Sequence, residues 1–209
     1  MENNKKLIVI LAVFAVVLVS AYLLYSQLAP QFSQDPLATL GTQPQENTTS
    51  ATTAATSPAS APETTKSTQP QQNLAPDFTV YDAQGNEVHL SDYFGKPIVL
   101  NFWASWCGPC QMEMPDFDAK YQELGSQVQF LMINMTDGDR ETVESAASFI
   151  TQKGYSFPVL FDTHYSAAIA YNVYSLPTTF FIDEKGQVVA YANQAIDGQT
   201  LQRGIDMIT

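Results

Sequence analysis

An α/β fold, with one sheet covered by helices on both faces, is what this sequence predicts. Three observations predict it. Ile98–Trp103 (IVLNFW) is a short apolar run, the pattern of a strand buried on both faces. Strand-like and helix-like stretches alternate after it as far as Tyr171. Finally, Thr178–Ile182 and Gln187–Ala192 flank Asp183-Glu184-Lys185-Gly186, a hairpin signal. No internal repeat is visible.

The elements follow in chain order. Phe78–Tyr81 and Glu87–Leu90 flank a loop of turn-forming residues, Asp82–Asn86, and read as a hairpin. Ser91–Phe94 reads as one helical turn, stopped by Gly95 and Pro97. After the buried strand Ile98–Trp103, a helix is expected from Pro109 to Leu124, ending at Gly125. Pro115 inside it removes one backbone hydrogen bond and should kink it. Val128–Ile133 reads as a strand. Glu141–Lys153 reads as a helix with Val143, Ala146, Ala147 and Ile150 on one face and Gly154 at its end. A short strand at Phe157–Phe161, a short helix at Tyr165–Tyr171 and a terminal helix at Thr200–Ile208 complete the set.

This domain, residues 74–209, is the last of three unlike segments of the 209-residue chain. Residues 1–25 contain an apolar run, Leu7–Leu24, broken only by Ser20 and Tyr22. As a helix it measures roughly 27 Å, against a bilayer hydrocarbon thickness of about 30 Å. Lys5 and Lys6 precede it, and the next basic residue is Lys66. The run therefore reads as an anchor with its N-terminus in the cytoplasm and the domain outside. A cleaved signal peptide is the alternative, since Val19-Ser20-Ala21 has small residues, but the run exceeds the usual span of about 7–15 residues. Residues 26–73 are rich in Thr, Ser, Ala, Pro and Gln and read as a disordered tether.

Composition excludes several function classes. The net charge of -12 would repel nucleic-acid phosphates, so no nucleic-acid partner is expected. Two cysteines exclude a disulfide-rich scaffold. Two histidines and a single CxxC leave a zinc site short of ligands, so no metal is expected.

The two cysteines stand three apart in Trp106-Cys107-Gly108-Pro109-Cys110, where the buried strand passes into a helix. If Cys107 caps that helix, unpaired backbone N–H groups and the helix dipole favour its thiolate. Its pKa then falls below the free value of about 8.5. Cys110, one turn later, reaches the same sulfur from further inside. Pro109 suits the first turn, where its missing N–H costs nothing. An exposed nucleophile with a resolving thiol behind it is what dithiol–disulfide exchange requires. A purely structural bond closing so short a loop would stabilise the chain little. The redox-active pair itself is the only cofactor implied.

WCGPC following IVLNFWAS resembles the thioredoxin fold. Ala75-Pro76-Asp77-Phe78, the LSDYFGKPIVLNFWASWCGPC stretch, Glu113-Met114-Pro115 and Leu176-Pro177-Thr178-Thr179-Phe180-Phe181-Ile182-Asp183 resemble its TlpA/ResA-like branch of membrane-tethered or exported bacterial thiol–disulfide oxidoreductases. The resemblance spans essentially all of residues 74–209. It implies a central mixed sheet flanked by helices, an N-terminal β-hairpin extension and a βα insertion at Thr136–Tyr155. It implies that Pro177 is cis and packs on the cysteine pair, and that the backbone of Leu176 pairs with a bound substrate strand. Trp106, Gly108 and Pro109 then belong to the substrate-facing surface. Where cytoplasmic thioredoxins carry a buried aspartate, this chain has Asn101. The resemblance assigns the second thiol's proton to Glu113, three residues beyond Cys110 on the same helical face; the helix dipole alone would also favour a glutamate there.

A Gly-Pro pair between the cysteines resembles reducing thioredoxins. A reductant outside the cell implies a membrane thiol transporter of the CcdA/DsbD type as donor. Apocytochrome c, with an oxidised CxxCH, is the substrate that the resemblance offers. Two other classes compete. The APDF…LSDYFGK opening also resembles peroxiredoxins, although Ala104 replaces the threonine of their Thr-x-x-Cys pattern. A non-catalytic, tethered peptide-binding module is the other. Remaining residues read as structural: Trp103 as core and Trp106 as surface. Met112, Met114, Met132 and Met135 read as gap-fillers, and Asp137, Asp139, Glu141 and Glu144 as a solvated, acidic helix start.

Overall fold

The structure, a computed structural model, describes residues 17–20, 36–39 and 73–209. Val17–Ser20 are helical and exposed. The rest of the Leu7–Leu24 run lies outside the described residues, so the anchor expected there is not described. Among the described residues, no helix is long and apolar enough to cross a membrane. Of the two units into which the chain divides, Met1–Asp35 and Pro36–Thr209, the second carries the fold.

Among its described residues, eight strands form one mixed sheet. They are β1 (Ala38–Thr39), β2 (Thr79–Tyr81), β3 (Glu87–His89), β4 (Ile98–Trp103), β5 (Gln129–Asn134), β6 (Val159–Phe161), β7 (Thr178–Ile182) and β8 (Val188–Ala192). The order across the sheet is β1-β8-β7-β4-β5-β6-β2-β3. β4 runs parallel to β5 and antiparallel to β7, with Leu100 opposite both Leu131 and Phe180. The helices are α1 (Gly108–Leu124), α2 (Val143–Lys153), α3 (Ser166–Ala170) and α4 (Gly198–Asp206), and Leu90–Tyr93 forms a 3-10 turn.

Every residue of β4 is buried, and alternation divides them between two cores. Ile98, Leu100 and Phe102 pack with Phe78, Val80, Leu131, Ile133 and Tyr171. Val99 and Trp103 pack on the opposite face with Met114 and Phe117 of α1 and Leu201 and Ile205 of α4. Asn101 shares that second face by the strand's two-residue period, which places an amide beneath α1. Gly204 lets α4 settle directly on β7: a Cβ there would overlap the Phe181 ring.

Local chemistry sets the helix ends. Thr142 caps α2 by accepting the Ser145 N–H at 3.1 Å, and Asp197 caps α4 by accepting that of Thr200 at 2.8 Å. α2 ends at Gly154, whose φ of 72° is the left-handed conformation glycine adopts freely.

Two features depart from the sequence reading. The insertion Thr136–Tyr155 holds α2 but no strand; the strand follows it as β6. Residues 136–142 are instead a loop, closed by hydrogen bonds to the Asp137 carboxylate. Residues 36–39, inside the stretch read as tether, contribute β1: Ala38 and Thr39 pair with Tyr191 and Ala190 of β8. Just before that strand, Gln187 is bridged by Leu74.

Candidate active site

The site begins where β4 stops. Past Trp103 the chain makes a tight turn in which the Cys107 N–H donates to the Ala104 carbonyl at 3.1 Å. Cys107 is then the N-cap of α1, and its Sγ accepts the Cys110 N–H at 3.2 Å. Pro109 stands in the first turn, where no intrahelical N–H is needed. Cys107 and Cys110 are disulfide-bonded, with Cα atoms 5.3 Å apart. The open first-turn N–H groups and the dipole of a 17-residue helix both face the Cys107 sulfur.

Cys107 is less open than the sequence reading expected. It is 4% exposed, and Cys110 is wholly buried. The bond to Cys110 draws its sulfur into the core cluster that contains Trp103, Met114 and Phe117. What remains accessible opens into a cavity of about 500 Å³, lined by Trp106, Cys107, Gly108, Pro109 and Leu176 together with Met135, Asp137, Arg140, Tyr165, Val173, Tyr174 and Ser175. Cys110 does not line it. The Leu176–Pro177 peptide is cis, and Leu176 packs against both core clusters at this end of the sheet.

Glu113 lies on the inner side of the pair, 2% exposed. Its Oε1 accepts from Asn101 Nδ2 at 2.8 Å, and its Oε2 accepts the Ile196 N–H at 3.0 Å. Burial pushes its pKa from the ordinary 4.5 to about 7, and the two hydrogen bonds only partly oppose that rise. Asn101 also donates to Thr179 Oγ1 at 3.0 Å, while its own Oδ1 has no partner among the described residues.

A carboxyl with a folded pKa above its unfolded value binds more protons in the folded chain between the two values. Stability therefore falls as pH rises from 4.5 to about 7, by about 3 kcal/mol in total. The expected result is that Glu113→Gln abolishes this fall. Denaturant midpoints of the oxidised protein at several pH values within that window test it. A variant with the parent's profile would refute it.

Comparisons with known proteins place this geometry. Residues 72–191 match the AhpC/TSA family. The chain is 37% identical over 137 residues to the thiol-disulfide oxidoreductase ResA of Geobacillus kaustophilus, covering 65% of this chain and 76% of that relative. The chain belongs to the ResA family of thiol–disulfide oxidoreductases. The ResA of Bacillus subtilis is 39% identical over 116 residues, covering 55% of this chain and 63% of its own. Two crystal structures share the thioredoxin-like fold. One is a putative thiol:disulfide interchange protein DsbE from Chlorobium tepidum, with TM-score 0.57 and 30% identity, covering 64% of this chain and 93% of that one. The other is the pneumococcal exposed lipoprotein thioredoxin Etrx1 of Streptococcus pneumoniae, with TM-score 0.54 and 31% identity, covering 63% and 98%. Thiol–disulfide oxidoreductase activity, and with it the thioredoxin-like fold, therefore stands.

Within this ResA-type domain, the other residues singled out from sequence divide clearly. Trp103 is fully buried and Trp106 is 40% exposed. Met114 and Met132 fill the core, whereas Met112 is exposed, which corrects the reading of it as a gap-filler. Asp137 and Asp139 are exposed, but Glu141 is not part of a solvated helix start: it is fully buried. Its carboxylate is turned inward by three donors from Ser105 and Asn134. The residue missed beside it is Arg140, whose guanidinium lies 3.7 Å over the Trp106 ring. A lone arginine in an acidic stretch gives no sequence signal of such a contact.

Proposed function

We propose that this chain reduces disulfides of partner proteins on the outer side of a bacterial cytoplasmic membrane, with Cys107 as the attacking sulfur. The carrying observation is that Cys107 lines the surface cavity and Cys110 does not. In the reduced state, the Cys107 thiolate attacks one sulfur of the partner's disulfide. A mixed disulfide forms and the partner's other sulfur leaves as thiolate. Cys110 then gives up its proton and attacks the Cys107 sulfur, releasing the partner's second sulfur and closing the Cys107–Cys110 bond. Two electrons have passed to the partner.

Glu113 supports this second step as a proton acceptor. A carboxyl with a pKa of about 7 exchanges a proton readily near neutral pH. Leu176, beside the cis Pro177 and on the cavity wall with Trp106, Gly108 and Pro109, offers backbone for an extended partner segment. A Gly-Pro pair between the cysteines supports the reducing direction. An oxidised CxxCH of apocytochrome c is the substrate in this reading, and a membrane thiol transporter of the CcdA/DsbD type returns the electrons. The apolar Leu7–Leu24 run supports anchoring by a single N-terminal span.

Trapping tests the reading. Cys110→Ser leaves the first attack intact and removes the second, so mixed disulfides through Cys107 should accumulate and be identifiable in membranes. Absence of any trapped partner, or trapping that persists in the Cys107→Ser/Cys110→Ser double variant, would overturn it. A reduction potential near about -120 mV rather than about -270 mV would reverse the direction. The peroxiredoxin-like APDF…LSDYFGK opening makes peroxide the competing substrate class, and rapid peroxide consumption by the reduced protein would favour it. Ala104, where the peroxiredoxin pattern has threonine, speaks against that outcome.

A further inference from the structure

Two consecutive residues of the β5–α2 loop hold the two consecutive residues that precede Cys107. Glu141 is fully buried. Its Oε1 accepts the Ser105 N–H at 2.9 Å and Asn134 Nδ2 at 2.7 Å, and its Oε2 accepts the Ser105 hydroxyl at 2.6 Å. Arg140 lies flat on the Trp106 ring at 3.7 Å. The loop is itself wound tightly. Asp137 Oδ1 accepts the N–H groups of Asp139, Arg140 and Glu141 at 2.8, 2.7 and 2.8 Å. The two neighbouring side chains then part, one inward to Ser105 and the other outward over Trp106. From the helix side, Gln111 Nε2 donates to the Ser105 carbonyl at 2.6 Å.

Ser105 and Trp106 are the central residues of the turn closed by the Cys107 N–H and the Ala104 carbonyl. That turn delivers Cys107 to the N-cap of α1, where backbone N–H groups face its sulfur. A buried carboxylate is costly unless its oxygens are well supplied with donors. Here the donors come mostly from the active-site turn, and among the described residues no cation pairs with Glu141. Arg140 makes no ion pair within 4 Å among the described residues, although its charge acts on the nearby Asp137 carboxylate; its direct contact is the face of Trp106, worth most where water is displaced.

We infer that Arg140 and Glu141 act as a positioning clamp that sets the reactivity of Cys107 from outside the cysteine motif. The clamp holds the turn, the turn holds the sulfur at the helix start, and the helix start favours the thiolate. This rests on Cys107 as the attacking sulfur.

The test is the rate of Cys107 alkylation by iodoacetamide against pH, in the full-length Cys110→Ser chain. Glu141→Ala should move the midpoint up by about one pH unit, so the rate near neutrality falls about tenfold. Glu141→Gln should restore most of it, because an amide oxygen still accepts from the Ser105 N–H and the NH₂ can donate to the Ser105 hydroxyl. Arg140→Ala should move the midpoint the same way by less and shift the Trp106 emission. Glu144→Gln, on the exposed side of α2, should leave the profile unchanged. A folded Glu141→Ala chain with the parent's midpoint would overturn the clamp. Should Glu141→Ala fail to fold, the exposed Arg140→Ala decides, and an unmoved midpoint there overturns it. If the parent Cys107 titrates near about 8.5, as a free thiol does, the nucleophile assignment itself fails. A low parent midpoint with unmoved variants refutes the clamp alone.

Discussion

Cys107→Ser will bring turnover of a disulfide-linked model peptide, driven by dithiothreitol, down to the uncatalysed background. A serine hydroxyl at the same N-cap would keep the hydrogen bond from the Cys110 N–H, so α1 should persist. What disappears is a sulfur able to form the mixed disulfide and to leave again. Cys110 cannot substitute for it. It is wholly buried and absent from the cavity wall, so a partner's disulfide cannot reach it without opening the core. The loss should be of several orders of magnitude and independent of pH. Retention of even a tenth of the parent's rate in Cys107→Ser would mean that the exchange runs through another group, and the scheme proposed above would fall.

Trp103→Ala should produce the largest loss of stability of any single change in the domain. Trp103 is fully buried at the end of β4 and packs near the Phe149 ring, centroid to centroid 5.9 Å. It belongs to the same cluster as both cysteines, Met114 and Phe117. Removing it costs transfer free energy and leaves a cavity, about 3–5 kcal/mol, a large share of the about 5–15 kcal/mol that holds a typical domain. Its Nε1 has no hydrogen-bond partner among the described residues, so Trp103→Phe removes an unsatisfied donor as well as volume and should cost much less than alanine. Urea midpoints with an unchanged m-value measure both. A Trp103→Ala protein within about 1 kcal/mol of the parent would show that the core closes over the gap.

How far the chain could be read beforehand depends on where each signal was stored. β4 and β7 occupy the residues expected of them, Ile98–Trp103 and Thr178–Ile182. Central strands bury both faces, so their apolar runs are continuous and end abruptly. Helix ends moved by one or two residues. α4 begins at Gly198 because Asp197 is its cap, a local hydrogen bond that apolar periodicity does not register. The cysteine pair was legible because two rare, chemically distinctive residues stand one helical turn apart. Glu141 was not, because its meaning lies in a bond to Ser105, 36 residues earlier. In the chain itself it is one more acid in an acidic run. The low exposure of Cys107 was equally hidden, since it depends on which way an oxidised sulfur turns. β1 escaped notice because a two-residue strand carries no period at all.

That short strand has one more consequence. Thr39 pairs with Ala190 of β8, and Leu74 bridges Gln187, the residue just before that strand. Nothing in the sheet is then measured by the number of residues between the two points. For a flexible loop, closure entropy grows only with the logarithm of length, and a doubling adds about 0.6 kcal/mol. A change in the number of residues between Thr39 and Leu74 should therefore leave both pairings as they are.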